Sequence, residues 1–251
     1  MSNVYVISTG RNSSKYVKNC IDSVQKQTLQ PIEHVLIDDI SDDDTRGHLM
    51  TYLHNPEYAN LNIIFNKVRK YRLLNLYENI VNKKPDDIIC IVDSDDWLAH
   101  DRVLETILDV YNNNPKLEYV YSNYKLANGT LGASEAIPSR HWDPYANRWI
   151  TSHMCTIKAK ALQRIPKSNF LNWDKKWFEI ATDHALILPV IYNLKHIHGD
   201  YSAIEFLNEA MYVHKFFGNS SKPRTGTTEA NNRSEMAVRC STYIKQRGFV
   251  E

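Results

Sequence analysis

The stretch from Ile88 to Leu98 constrains the fold more than any other part of the chain. Ile88, Ile89, Cys90, Ile91 and Val92 form a continuous apolar, β-branched run, the pattern of a buried strand. Asp93-Ser94-Asp95-Asp96 follows at once, then Trp97 and Leu98. A strand that hands over to clustered acids suits an open α/β sheet, in which ligands bind beyond the carboxyl ends of the strands. Asp93 and Asp95 are two apart and share a face on extended backbone. A slight bend at Ser94 lets both reach one cation, and hard oxygen ligands suit Mg2+ or Mn2+ better than zinc. Alternatively, Asp95 and Asp96 cap a helix beginning near His100 and Asp93 belongs to a turn.

The flanking pattern places this strand in a sheet with crossover helices. Val4 to Ser8 is a short β run, ended by Thr9-Gly10-Arg11-Asn12-Ser13-Ser14. Tyr16, Val17, Cys20, Ile21 and Val24 then recur at helical spacing. Val35 to Ile37 predicts a second strand, terminated by Asp38-Asp39, and Leu61 to Phe65 a third. Between them, Ser41 to Thr45 starts a weak helix with acids near its positive end. Helices are predicted over 72–81 and 102–111, and a further strand over 117–121. Strand, helix, strand with polar residues after each strand is how a parallel sheet begins.

Beyond Asn123 the pattern weakens. Residues 127–147 predict long loops or a short hairpin, and 154–162 a strand leading into a short helix. A helix over 185–192 is interrupted by Pro189, the last sheet elements fall in 197–206, and 234–246 is a terminal helix. Gly, Asn, Ser, Lys, Pro and Thr dominate 216–232, the composition of a mobile loop. No internal repeat or domain boundary is evident. The expectation is one domain over 1–251, whose residues 1–122 bind a nucleotide and whose residues 123–251 serve a second substrate.

Composition excludes several classes. The chain has 251 residues, with 30 Lys plus Arg against 29 Asp plus Glu, so charge gives no reason to expect nucleic-acid binding. The four cysteines are scattered without a CxxC pair, which predicts reduced thiols, a cytoplasmic setting and no structural zinc. The N-terminus lacks signal-peptide character, and no window approaches eighteen apolar residues, leaving at most a peripheral membrane contact. Neither GxGxxG nor GxxxxGK[ST] follows a strand; Gly10 stands alone. Without a glycine cradle, nucleotide phosphates need another counter-charge, which the acids at 93–96 supply through a divalent cation. That points to a nucleotide donor whose diphosphate is the leaving group.

Three blocks, in order, carry a family resemblance: VYVISTGRNSSKYVKNCIDSVQKQT at 4–28, EHVLIDDISDDDT at 33–45 and IICIVDSDDW at 88–97. The sequence resembles the inverting glycosyltransferases of family 2. The resemblance implies an α/β fold of the GT-A nucleotide-diphospho-sugar transferase type, with a mostly parallel central sheet flanked by helices. It also implies a nucleoside-diphosphate sugar, uridine- or thymidine-linked, as donor, and Mn2+ or Mg2+ as cofactor.

The same resemblance implies residue roles. Thr9 matches the position near the nucleotide base, and Asp39 the acid that accepts the imide N–H of uracil or thymine, a bond a carboxylate can make. Arg69 matches a basic residue beside base or diphosphate, with Arg72 as the alternative. Asp93 and Asp95 match the DxD acids, the first reaching donor ribose or sugar and the second the metal. Asp183 in FEIATDH matches the base that takes the acceptor proton; it can equally cap the following helix, and Glu179 and Asp174 stand in reserve. His214 matches a late histidine that completes the metal shell or anchors a lid, and His153 a residue near donor sugar or acceptor. Lys215, Lys222 and Arg224 can close over phosphate, and Trp97 can wall the cleft.

The expected activity is metal-dependent transfer to a hydroxyl of a glycan, lipid-linked or protein-linked acceptor. Two other classes keep the same sheet. A sugar nucleotidyltransferase would release pyrophosphate, but needs a Gly- and basic-rich loop that Thr9-Gly10-Arg11-Asn12 does not make. A catalytically silent nucleotide-sugar binder would bind donor without consuming it.

Overall fold

In the computed structural model the described residues are 2–215 and 228–251, with side chains at the second stretch described from residue 232. Strand β1 (Val4–Gly10) lies between β2 (Glu33–Asp38) and β4 (Ile88–Ile91), parallel to both, and β3 (Leu61–Phe65) extends the sheet parallel to β2. Val4 to Ile7, Val35 to Ile37, Ile63 to Phe65 and Ile88 to Ile91 are unbroken apolar runs, the pattern of parallel strands with helices on both sheet faces. The eight-stranded order is β3-β2-β1-β4-β7-β6-β8-β5. Here β5 is Trp97–Leu98, β6 Tyr119–Leu126, β7 Cys155–Lys158 and β8 Ile204–His214. Strand β7 runs antiparallel to β4 and β6, β8 is parallel to β6, and β5 is antiparallel to β8. The sheet therefore continues unbroken across the two halves of the chain, and it is the α/β architecture expected from the sequence.

The helices follow from the apolar spacing. Helix α1 (Val17–Gln25) buries Val17, Cys20, Ile21 and Val24 on one stripe. Each aliphatic side chain so buried contributes about 1.5–3 kcal/mol. The weak helix after the second strand is the six-residue α2 (Thr45–Met50). Helix α3 (Tyr71–Ile80) buries Leu73, Leu76 and Ile80, and carries Asn75 inward as well. Helix α4 (Val103–Asn113) begins after Arg102, so Asp95 and Asp96 do not cap it. The short α5 (Ala159–Gln163) follows β7 directly, as predicted.

Two expectations for the second half need correction. Pro189 does not end its helix: α6 runs from Thr182 to His198 with Pro189 inside it. Ala185 to Ile191 are all buried, and that packing outweighs the lost backbone bond. The last sheet element does not end at 206 but continues to His214, because Tyr212 and Val213 pair with Trp97 and Leu98 of β5. Residues 127–153 contain no helix or named strand, as expected for long loops, and a helix, α7 (Thr228–Arg247), closes the chain. The loop predicted at 216–232 lies outside the described residues up to residue 227, as do Lys222 and Arg224. No helix among the described residues is long and apolar enough to cross a membrane.

Candidate active site

The carboxyl ends of β1, β2 and β4 lie side by side and carry Thr9-Gly10, Asp38-Asp39 and Asp93 to Asp96. Gly10 is not a phosphate cradle. A Cβ there would lie 2.0 Å from the Ser94 hydroxyl, so glycine is what lets the acid turn close against β1. Ser94 is fixed from both sides: its N–H donates to the Thr9 carbonyl at 3.3 Å, and its hydroxyl meets that of Ser13 at 2.7 Å. The Asp38-to-Thr45 signature is a staple between two loops. Asp43 accepts from the N–H of Ser14 and of Thr45, while Asp42 pairs with Arg11 and Asn12 at 2.5 Å. Asp38 receives the Ser41 hydroxyl.

Asp39 is buried under the 66–71 loop. Its Oδ1 accepts from Asn66 Nδ2 at 2.7 Å and from the Lys70 N–H at 2.9 Å; Oδ2 accepts the Tyr71 N–H at 2.8 Å. Arg69 Nε lies 3.8 Å away, and its guanidinium covers the Tyr71 ring at 4.5 Å. Thr9 is turned inward, accepting from Asn75 Nδ2 at 3.2 Å, and Asn75 in turn accepts from Asn66 at 2.9 Å. Thr9 and Asp39 thus tie β1, the 66–71 loop and α3 into one rigid floor.

Arg72, the second residue of α3, gathers the chemistry. Its Nε donates to Asp93 Oδ1 at 2.6 Å, and its Nη1 lies 2.8 Å from Asp183 Oδ1. Burial works against the guanidinium's charge, but Asp183 and Asp93 more than offset it and hold its pKa above the ordinary value. Burial likewise works to raise the Asp183 pKa; the charge of Arg72, then of His153 and His184, outweighs it and leaves the carboxyl below its usual range. Asp183 is second in α6, where Ala181 is the N-cap and no side chain caps. Its side chain is 49% exposed, so it faces the cleft rather than closing the helix end.

The other acids of the turn are held from β8. Tyr212, fully buried, donates its hydroxyl to Asp96 Oδ2 at 2.8 Å and accepts the Asp93 N–H at 3.1 Å. The Lys215 N–H donates to Asp96 Oδ1 at 2.8 Å. Burial, reinforced by the charge of Asp93, pushes the Asp96 carboxyl up to about 6. The Lys215 ammonium pairs with Asp95. His214 Nε2 lies 4.0 Å from Asp96 Oδ2. The His153 ring stacks on Tyr212 at 4.8 Å with 8° between the planes, and lies 5.5 Å from the His214 ring. Trp97 stacks with Tyr16 at 6.4 Å. Glu179 is exposed on the loop before α6, near Tyr71, and Asp174 is exposed farther along that loop.

The donor set decides how a divalent cation fits. Among the described residues no group of three or more His, Cys, Asp or Glu is arranged to hold a metal ion. Asp93 and Asp95 are partly exposed carboxylates, and Asp95 already faces a cation in Lys215. Two carboxylates with a diphosphate suit Mg2+ or Mn2+, which keep few protein ligands; a closed protein cage is not formed. The bridging role of Arg72, the hydroxyl of Tyr212 and the Asn66–Asn75 pair were not read from the sequence. The family resemblance offers Arg72 only as the alternative to Arg69 beside base or diphosphate.

Comparison with solved structures agrees with this fold. The solved structures similar to the chain include the S. aureus TarS 1–349 complex with UDP-GlcNAc, at 16% identity and TM-score 0.58, covering 95% of this chain and 66% of that one. The Pyrobaculum calidifontis mannosyltransferase PcManGT with GDP-Man and Mn2+ matches at 15% identity and TM-score 0.61, covering 99% of this chain and 65% of that one. Glucosyl-3-phosphoglycerate synthase from Mycobacterium tuberculosis, with Mn2+, UDP and phosphoglyceric acid, matches at 13% identity and TM-score 0.60, covering 100% and 80%. The chain spans 37% of the TarS chain and 60% of its 1–349 form. No curated protein matches it. The profile described as Glycosyl transferase family 2 matches residues 5–165, which include β1, the Asp39 loop, Arg72 and the acid turn. The chain belongs to glycosyltransferase family 2.

Proposed function

We infer that the chain transfers a sugar from a nucleoside-diphosphate donor to an acceptor hydroxyl with inversion, residues 1–122 holding the donor and 123–251 the acceptor. The observation that carries this reading is the meeting of Asp93 and Asp183 on the one guanidinium of Arg72. A carboxylate from the start of α6 thereby stands beside the acid turn at the donor end of the sheet. Direct displacement requires a base for the acceptor proton on the face of the anomeric carbon opposite the departing diphosphate, and a carboxylate on α6 facing the acid turn can supply one.

The roles follow from position. Asp183 takes the acceptor proton. Asp95 would hold Mn2+ or Mg2+, with His214 as the residue to complete the shell, and the cation when bound neutralises charge on the diphosphate. Asp93 addresses the donor ribose or sugar, and Arg69 on Tyr71 lies beside the base. Asp39 already accepts three directed N–H bonds, and a carboxylate offers about four acceptor sites. The remaining site suits the single imide N–H of uracil or thymine better than the adjacent N–H groups of guanine, which favours a UDP- or dTDP-linked donor. Neighbouring structures solved with UDP, UDP-GlcNAc or GDP-Man, and several with Mn2+, support a metal-dependent nucleotide-sugar reaction. The acceptor is a glycan, lipid-linked or protein-linked hydroxyl, and four free cysteines favour a reducing, cytoplasmic setting.

The test is a panel of nucleotide sugars with Mn2+ or Mg2+, read as released nucleoside diphosphate, beside an Asp95→Asn control. Metal-dependent release from one donor, lost in the control, is expected. Pyrophosphate release from a nucleoside triphosphate and a sugar 1-phosphate would replace this reading with a nucleotidyltransferase. Donor binding without consumption, with acceptors supplied, would replace it with a silent binder.

A further inference from the structure

The proposed base does not face an empty cleft. Asp183 Oδ1 is 2.8 Å from Arg72 Nη1, and the same guanidinium donates through Nε to Asp93 Oδ1 at 2.6 Å. Arg72 is 18% exposed at its side chain, and Asp183 is 49% exposed. The two contacts differ in kind. The Nε contact is a directed hydrogen bond to Asp93, and the enclosed Nη1 forms an ion pair with Asp183. Arg72 is thus anchored on Asp93 through Nε while Nη1 faces Asp183.

A guanidinium offers five donors in a planar fork that matches phosphate oxygens in pairs. A diphosphate bound at this sheet edge brings more negative charge, and more oxygens for the fork, than one carboxylate. On the donor-site reading given above, we propose that Arg72 exchanges partners, from Asp183 in the empty site to the diphosphate of a bound donor, so that donor binding frees the carboxylate that receives the acceptor proton.

The exchange gives the reaction an order. With Asp183 held by Arg72, its near oxygen is engaged by a cation and is a poor proton acceptor. Once the donor has taken the guanidinium, that oxygen is open on the acceptor side. The acceptor oxygen then bonds to the anomeric carbon, and the bond from that carbon to the phosphate oxygen breaks. Its electron pair leaves with the nucleoside diphosphate, beside Arg72, and the acceptor proton goes to Asp183. Arg72 is a positioning residue for the base before transfer and a contact for the leaving group during it.

Competition between Asp183 and diphosphate for one guanidinium has a thermodynamic signature that bracing alone lacks. Calorimetric titration of the full chain with UDP, dTDP and GDP in Mn2+, and with the matching nucleosides, measures it. Asp183→Asn removes the competitor, so it binds the preferred nucleoside diphosphate about three- to tenfold more tightly than the wild type. The nucleoside binds both equally. In an Arg72→Gln background Asp183→Asn brings no gain, and Arg72→Lys, which keeps the charge without the fork, serves if Arg72→Gln does not fold. Equal diphosphate affinity in wild type and Asp183→Asn overturns the exchange and leaves the donor reading standing. So does a gain that persists without Arg72, since that is general charge repulsion. No binding of any nucleoside diphosphate by the wild type overturns the donor reading itself.

Discussion

The Asp183 carboxylate meets the Arg72 guanidinium at 2.8 Å, joining the start of α6 to the start of α3 across the donor end of the sheet. Asp183 makes no side-chain capping bond in the first turn of α6, and its side chain is half exposed. Asp183→Asn is therefore expected to keep the fold and lower kcat for donor turnover by about 10²–10⁴-fold. Circular dichroism and released nucleoside diphosphate measure the two effects. Full turnover in the variant would move the base elsewhere, with Glu179 next in line.

Tyr212 is the residue that holds the acid turn in shape. Its hydroxyl serves Asp93 on one side and Asp96 on the other, inside a fully buried ring. Removing the oxygen leaves a backbone N–H and a buried carboxyl each short of a partner. Tyr212→Phe should cost about 1–3 kcal/mol in a urea melt and raise the donor KM together with the Mn2+ requirement. An unchanged KM would mean that the turn keeps its geometry without β8.

Asp39 anchors the 66–71 loop through three N–H donors. In Asp39→Asn, the side-chain amine must face one of those donors. Calorimetry should show at least about tenfold weaker nucleotide binding, and the melt a loss of about 1–3 kcal/mol. Weaker nucleotide binding at unchanged stability would assign Asp39 to the base alone.

His34 carries a pH dependence of stability. It is fully buried, its Nε2 meets the Ser8 hydroxyl at 3.0 Å, and burial pushes its pKa down to about 3. In the unfolded chain it takes a proton near its ordinary value of about 6.5. Below that pH the unfolded state binds a proton that the folded state refuses, so the contribution is whole above about 6.5 and is lost progressively toward about 3. Between pH 7 and 5 the wild type should lose about 2 kcal/mol more than His34→Gln. Parallel pH profiles in denaturant melts would contradict this.

The parallel half of the fold was legible because its strands are apolar runs ended by polar clusters, as at Val35 to Asp39 and Ile88 to Asp93. The hand-off from β7 to α5 falls within the strand and short helix expected over 154–162. Strand β8 was not legible, since Glu205, Asn208 and Glu209 break any alternation and its far end is set by pairing with Trp97 and Leu98. Pro189 misled because burial of its neighbours overrode a local penalty. Within the site, the acid turn and Asp183 were visible as residue types in suitable places. That Arg72 joins Asp93 to Asp183, that Lys215 faces Asp95, and that Thr9 turns to Asn75 are all contacts made by folding, and no local spacing encodes them.

Direct displacement inverts the anomeric carbon, and the anomeric proton reports it. Early 1H NMR spectra of wild-type turnover with the preferred donor, with water as acceptor if no better one is known, distinguish the first-formed anomer before mutarotation. The first product is expected to have the opposite anomeric configuration to the donor, with the signal lost in Asp183→Asn. A first product that retains the donor's configuration would contradict it.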